Sequence, residues 1–183
     1  MRLDFLNREI SSIHSAALLL GAAGLLSRVL GVFRDRLLAG SFGAGRELDV
    51  YYAAFQIPDF MATVFLLGAG TAAILPMFQE DLARDREEAR RLISHLSLLF
   101  LVGSGALSLV MFFFTPYLMW IVAPGFSAGE QQLAVLLTRI MLLSPIFLGL
   151  SSIFSSVVQS FQRFLSYALA PVLYNVGIII GVV

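Results

Sequence analysis

Apolar positions in this sequence gather into long runs instead of alternating with polar ones, and polar residues fall mainly between the runs. A run of about 20 apolar residues crosses a hydrocarbon core of about 30 Å as a helix. Five runs reach that length: about Ile13 to Phe33, Asp49 to Phe78, Leu92 to Val122, Gln132 to Phe161, and Phe164 to the end of the chain at position 183. The pattern predicts an all-α polytopic membrane protein with about five transmembrane helices. Ile178-Ile179-Ile180 is still apolar where the sequence stops, so a further carboxyl-terminal part is expected. The first run is read as a retained helix and not a leader, because Asp4 and Glu9 accompany Arg2 and Arg8 ahead of it.

Two runs carry defects. A continuous helix over residues 49–78 would be about 45 Å long at 1.5 Å per residue, which exceeds the bilayer core. Pro58 removes a backbone donor and Gly68-Ala69-Gly70 supplies a soft point, so a bend or break is expected at one of them. Pro145 places a similar defect in the fourth run. Between runs, Glu80 to Arg91 mixes both signs of charge as a solvated amphipathic helix does, and Ala123-Pro124-Gly125-Phe126 reads as a turn. Tyr117 and Trp120 are placed as interfacial anchors ahead of that turn.

Polar residues inside the runs are few and ordered. Ala17, Gly21, Gly24, Arg28, Gly31 and Asp35 recur at steps of three and four, so they share one face of the first helix. For the glycines, the plain reading is a groove for close helix packing. Arg28 changes that picture, since a guanidinium within an apolar segment is costly unless it meets a cavity or a partner, with snorkelling to the interface as the alternative. Arg34, Asp35 and Arg36 fall at or just beyond the end of the run. In the second run Asp49, Tyr52, Gln56, Asp59 and Thr63 again share one face, which must meet water or protein. Together these faces suggest a hydrated cationic cavity whose carboxylates pair with the guanidinium groups between binding events. Static pairing between helices is the alternative. Guanidinium forks suit phosphate and pyrophosphate oxygens, so the expected ligand is an anionic amphiphile. Arg139 lies in the fourth run and either lines the same cavity or reaches the interface.

Composition agrees with a membrane solvent: 58% of residues are hydrophobic, 13% are charged, and the mean hydropathy is +0.88. All 12 basic residues are arginine and the formal net charge is zero, which gives no argument for nucleic acid. There is no cysteine, and the two histidines, His14 and His95, have no nucleophile or metal-ligand motif around them. Neither catalysis nor a cofactor is expected. Arg2, Arg8, Arg84, Arg86, Arg90, Arg91 and Arg163 fall on one side of the expected membrane, against Arg34, Arg36 and Arg46 on the other. That asymmetry predicts a cytoplasmic amino terminus.

Ser27-Arg28-Val29-Leu30-Gly31, Arg34-Asp35, Phe42-Gly43-Ala44-Gly45, Asp49, Ala54-Phe55 and Ile57-Pro58 follow one another with family spacing, and through them the chain resembles the MurJ (MviN) lipid II flippases. The similarity continues through Ala123-Pro124-Gly125-Phe126, Arg139-Ile140-Met141, Arg163-Phe164 and Ala170-Pro171 to Asn175. The resemblance implies the multidrug, oligosaccharidyl-lipid and polysaccharide exporter superfamily, with this chain forming most of the first lobe of a two-lobed flippase. It implies a bacterial inner-membrane transporter that carries the undecaprenyl-pyrophosphate-linked peptidoglycan precursor to the outer leaflet by alternating access. By motif position Arg28, Arg34 and Asp49 match the family's cavity charges, and Asp35 and Arg139 match recurrent positions. The sequence departs from the family where an Asn and two arginines usually follow the proline of the second helix: here stand Asp59 and then Ala62-Thr63. Leu67 replaces a common Glu, and Pro145 comes two positions late. Export of another polyprenyl-linked glycan or of drugs, or a non-transporting membrane scaffold, remain as rival readings.

Overall fold

In a computed structural model of the chain, the described residues are 13–43, 45–68, 71–161 and 163–182. Arg2, Asp4, Arg8 and Glu9, which enter the leader and orientation arguments, lie outside them, as do Ala44, Ala69, Gly70 and Val183. The described residues form α1 (Ile13–Phe42), α2 (Arg46–Gly68), α3 (Thr71–Arg84), α4 (Arg86–Val122), α5 (Ala128–Met141), α6 (Ser144–Ser160) and α7 (Phe164–Val182). Among the described residues four stretches are long and apolar enough to cross a membrane: Ala17–Phe42, Arg86–Val122, α5 with α6 as Ala128–Ser160, and Phe164–Val182.

The differences from the expected runs follow from helix chemistry. α1 does not stop near Phe33; it carries Arg34, Asp35 and Arg36 as interior positions and ends two turns later, where Gly43 takes φ 75°. Arginine is a good helix former and Leu37-Leu38 restores the apolar face, so the charges do not terminate the helix. The left-handed residue that closes it is a conformation glycine adopts without a Cβ penalty. In the second run Pro58 is absorbed inside α2, which is described to Gly68, and α3 is described from Thr71; the break expected at Gly68-Ala69-Gly70 falls on Ala69 and Gly70, outside the described residues. The 80–91 segment is not one helix. Asp85 interrupts it, its side chain accepting from the Glu87 N–H at 3.1 Å as the N-cap of α4. Exposed pairs Arg84–Glu80 (2.6 Å) and Arg91–Glu87 (3.6 Å) decorate the two sides of that cap. The 123–126 turn is formed, with the Phe126 N–H donating to the Ala123 carbonyl at 3.2 Å. The fourth run divides at Leu142-Leu143, just before Pro145, into α5 and α6.

Two compact units result. In one, α1 pairs with α7. In the other, running from Gly45 to Ser156, α2 and α4 pack on α5 and α3 packs on α4. The core of this second unit joins Val50, Ala53, Ile57 and Met61 of α2 to Met119 of α4 and to Ala134 of α5. Alanines at the α2–α5 contact, Ala54 and Ala134 both 0% exposed, let the backbones approach closely, which is how helices gain packing in an apolar solvent. α6 meets α4 by a similar device: a Cβ at Gly149 would collide with the Phe100 ring, so the ring lies where only glycine leaves room.

Candidate functional site

In the α1–α7 unit the side chain that organises the contact is Asn175, a buried carboxamide in an otherwise apolar helix. Its Nδ2 donates to the Ser27 hydroxyl (3.0 Å) and to the carbonyls of Ser27 (3.2 Å) and Pro171 (3.0 Å). Its Oδ1 accepts from Nη1 of Arg34 at 3.0 Å and lies 3.7 Å from where a Cβ on Gly31 would sit. Arg34 completes its shell with Asp35: Nε and Nη2 reach the same carboxylate oxygen at 2.9 and 2.8 Å. Arg34 is therefore held by one carboxylate and one amide, half-buried along α1.

Arg28 behaves differently. One and a half turns earlier on α1, it is exposed, and among the described residues it forms no hydrogen bond or ion pair. Its neighbours on the expected stripe, Gly21 and Gly24, are also open, with nothing within 4 Å of a Cβ built at either. The packing-groove reading therefore holds for Gly31, which faces Asn175, and finds no partner at Gly21 or Gly24 among the described residues. His14 and His95 are both exposed.

In the second unit α2 divides cleanly. Leu48, Val50, Ala53, Ala54, Ile57, Met61 and Ala62 are buried, whereas Asp49, Tyr52, Gln56, Asp59 and Thr63 are all exposed, as the spacing predicts. Asp49 sits in the first turn of α2, where a carboxylate is favoured by the unpaired N–H groups and the helix dipole. The structure thus gathers Arg34 and Asp35 in one unit with Arg28 on the same helix, and carries Asp49 and Arg139 in the other.

Arg139 has a local task that its charge does not advertise. A helix carbonyl normally accepts from the N–H four residues on, and proline has none to give. Pro116 therefore orphans the Phe112 carbonyl, and Nε of Arg139 donates to it at 3.1 Å, with the guanidinium 4.5 Å from the centre of the Phe112 ring. Its neighbour repeats the device on the other side of α5. Pro58 orphans the Ala54 carbonyl, and the Thr138 hydroxyl reaches it at 3.2 Å, sharing its one proton with the Ala134 carbonyl at 2.8 Å. Consecutive residues of α5 thus satisfy proline gaps in α2 and α4. Ser108 of α4 returns a bond to the Leu142 carbonyl (3.1 Å) at the α5–α6 break, and Gln131 donates to the Ala123 carbonyl (2.6 Å) at the end of α4. Sequence reasoning passed over Asn175, Thr138, Ser108 and Gln131 as site-shaping residues. Each proline and a hydroxyl or amide elsewhere in an apolar run were visible, but which polar group meets which gap requires the fold.

The pairing of Thr138 with the Pro58 gap is testable. Thr138→Val is expected to lower stability in detergent by about 1 kcal/mol, since it strands a buried carbonyl. In a Pro58→Ala background, where residue 58 regains its own N–H, the same change should cost clearly less. Equal cost in both backgrounds, measured by thermal unfolding, would refute the pairing.

A family profile described as "Lipid II flippase MurJ" matches residues 38–183. Among curated relatives, lipid II flippase MurJ of Burkholderia cenocepacia is 32% identical over 175 residues, covering 94% of this chain and 34% of that protein. Lipid II flippase MurJ of Thermosipho africanus is 33% identical over 171 residues, covering 93% of this chain and 35% of that protein. The chain spans about a third of the length of the curated relatives it matches. A solved structure titled "Lipid II flippase MurJ, inward closed conformation" shares the fold at a TM-score of 0.58 and 24% identity, over 91% of this chain and 42% of that one. With the profile matched along most of its length, this chain belongs to the MurJ lipid II flippase family.

Proposed function

We propose that the chain is part of a flippase that carries lipid II, the polyprenyl-pyrophosphate-linked peptidoglycan precursor, from the inner to the outer leaflet of the bacterial cytoplasmic membrane by alternating access. The family match over residues 38–183 carries this reading. Arg28 adds the chemistry it needs. A translocated pyrophosphate requires a cation within the apolar slab, and Arg28 presents an unengaged guanidinium there, with donors in the fork geometry that phosphate oxygens accept. Arg34 joins as a second cation by exchanging Asp35 for the substrate anion. Arg139, the remaining candidate, steadies α4 through the bond from its Nε to the Phe112 carbonyl and keeps its other N–H groups free among the described residues. No covalent step is involved. The arginines of the α3–α4 connection, Arg84, Arg86, Arg90 and Arg91, support a cytoplasmic side there and hence a cytoplasmic amino terminus.

The test is rescue of flippase-depleted cells by the gene that encodes this chain, with surface labelling of lipid II as the direct readout. Restored growth together with outer-leaflet lipid II is expected. Membrane-inserted protein without either would overturn the assignment. In that case Asp59, Ala62 and Thr63, which stand where the family usually has an Asn and two arginines, would favour another polyprenyl-linked glycan as cargo.

A further inference from the structure

Arg139 has more donors than its structural task consumes. A guanidinium carries five N–H groups, and the Phe112 carbonyl takes only the one on Nε. Among the described residues Nη1 and Nη2 bond nothing, and no carboxylate forms an ion pair with Arg139. Arg139 instead lines a groove of about 450 Å³ between α4 and α5, with Pro116, Trp120, Gln131, Gln132 and Val135 among its other walls. The lining contains no acidic residue, so the groove carries net positive charge.

Depth and polarity are graded along it. Trp120 is in the last turn of α4 and Gln132 in the first turns of α5, next to the 123–127 connection. Arg139 enters about 10 Å further in, seven residues beyond Gln132 at 1.5 Å per residue. Helical side chains lean toward the amino-terminal end, so the guanidinium points back along α5 toward Gln132 and the interface. Around the groove Leu133, Leu136, Ile140, Phe113 and Tyr117 are exposed. This is the arrangement of a site open to lipid: an indole and an amide at the rim, an unpaired cation below them and apolar side chains outside.

We propose that the α4–α5 groove binds an acidic phospholipid, its phosphate on the Nη groups of Arg139 and its headgroup hydroxyls on Gln132 and the Trp120 indole N–H, with the acyl chains lying along Leu136 and Ile140. An unpaired arginine in an apolar stretch is costly, and a lipid phosphate drawn into the groove removes that cost where no protein carboxylate does. A net negative headgroup is favoured over a zwitterionic one because the groove supplies a cation and no anion. The site does not depend on the transported substrate, and it leaves the Arg139–Phe112 bond in place.

The experiment is lipid retention by the purified full-length protein, read by native mass spectrometry after exchange into mixed phosphatidylglycerol and phosphatidylcholine micelles. Wild type is expected to retain phosphatidylglycerol about fivefold over phosphatidylcholine, the preference that one cation near an anionic surface supplies. Arg139→Gln should erase the preference. Because that change also removes the bond to the Phe112 carbonyl, Val135→Trp is the second variant: it fills the groove, keeps Arg139, and is likewise expected to lose the preference. An undiminished preference in Val135→Trp, or in a folded Arg139→Gln, would overturn the site. So would displacement of the lipid by millimolar inorganic phosphate, since the ligand would then be a free anion and not a phospholipid.

Discussion

Arg28→Ala is expected to abolish rescue of flippase-depleted cells while leaving the protein at least as stable as wild type in the membrane. The two halves of that result come from one observation, an exposed guanidinium on α1 with no bond among the described residues. Removing a side chain with no intramolecular partner changes stability by less than about 0.5 kcal/mol. Removing a charge from an apolar segment eases insertion, since arginine near the middle of a membrane helix costs about 2.5–3.5 kcal/mol on insertion scales. A scaffold has no reason to keep such a group. A carrier of a pyrophosphate does, because the anion's own desolvation is offset only by a cation already in the slab. Arg28→Lys should rescue in part, retaining the charge and losing the bidentate fork. Growth supported by Arg28→Ala at matched membrane abundance would remove Arg28 from the site. Loss of growth accompanied by loss of protein would mean that Arg28 is structural, and would contradict its lack of partners.

How legible the molecule was in its sequence differs by level. Apolar run length is a physical requirement of the bilayer, so the helical, membrane-spanning class could be read directly, as could the polar face of α2, where all five residues placed by spacing are exposed. The boundaries were harder. Phe33 looked like the end of α1 because hydropathy falls at Arg34-Asp35-Arg36, yet arginine and leucine propagate a helix well, and Gly43 is where the backbone turns. The second run offered two weak points. Proline did not interrupt the helix, because Thr138 reaches the carbonyl that Pro58 leaves open, and the other point falls on Ala69 and Gly70, outside the described residues. Of the candidate site residues, type and spacing located Arg28 and Asp49 as exposed charges but could not distinguish them from Arg34 and Arg139. The difference lies in partners distant in sequence: Asn175 is 141 residues from Arg34, and Phe112 is 27 from Arg139.

Asn175→Leu is expected to give the largest loss of stability of any single change in the α1–α7 unit, about 2 kcal/mol, together with loss of rescue. The carboxamide contributes bonds to Arg34 and Ser27 across the helix pair, and buried hydrogen bonds within membranes average about 0.6 kcal/mol with a maximum near 1.7. Leucine keeps the branched shape beside Gly31 but is bulkier, so the loss combines the polar bonds with some overpacking. The Arg34 guanidinium keeps Asp35 but no longer has a fixed position, and the Ser27 hydroxyl must find another partner. If Asn175 acts through Arg34, then Asn175→Leu should cost less in an Arg34→Ala background than alone, with a coupling of about 1 kcal/mol in thermal unfolding. Additive costs would mean that Asn175 serves Ser27 alone and that Asp35 by itself sets the position of Arg34. Asn175→Asp separates structure from transport. A carboxylate at this position ties the Arg34 guanidinium between two anions, and that ion pair offsets part of the cost of turning an oxygen toward the Ser27 and Pro171 carbonyls. If Arg34 must release a partner to meet the substrate, Asn175→Asp should fail to rescue even where it reaches wild-type abundance in the membrane. A stable variant that rescues fully would show that Arg34 never leaves its pair, and that Arg28 meets the pyrophosphate without it.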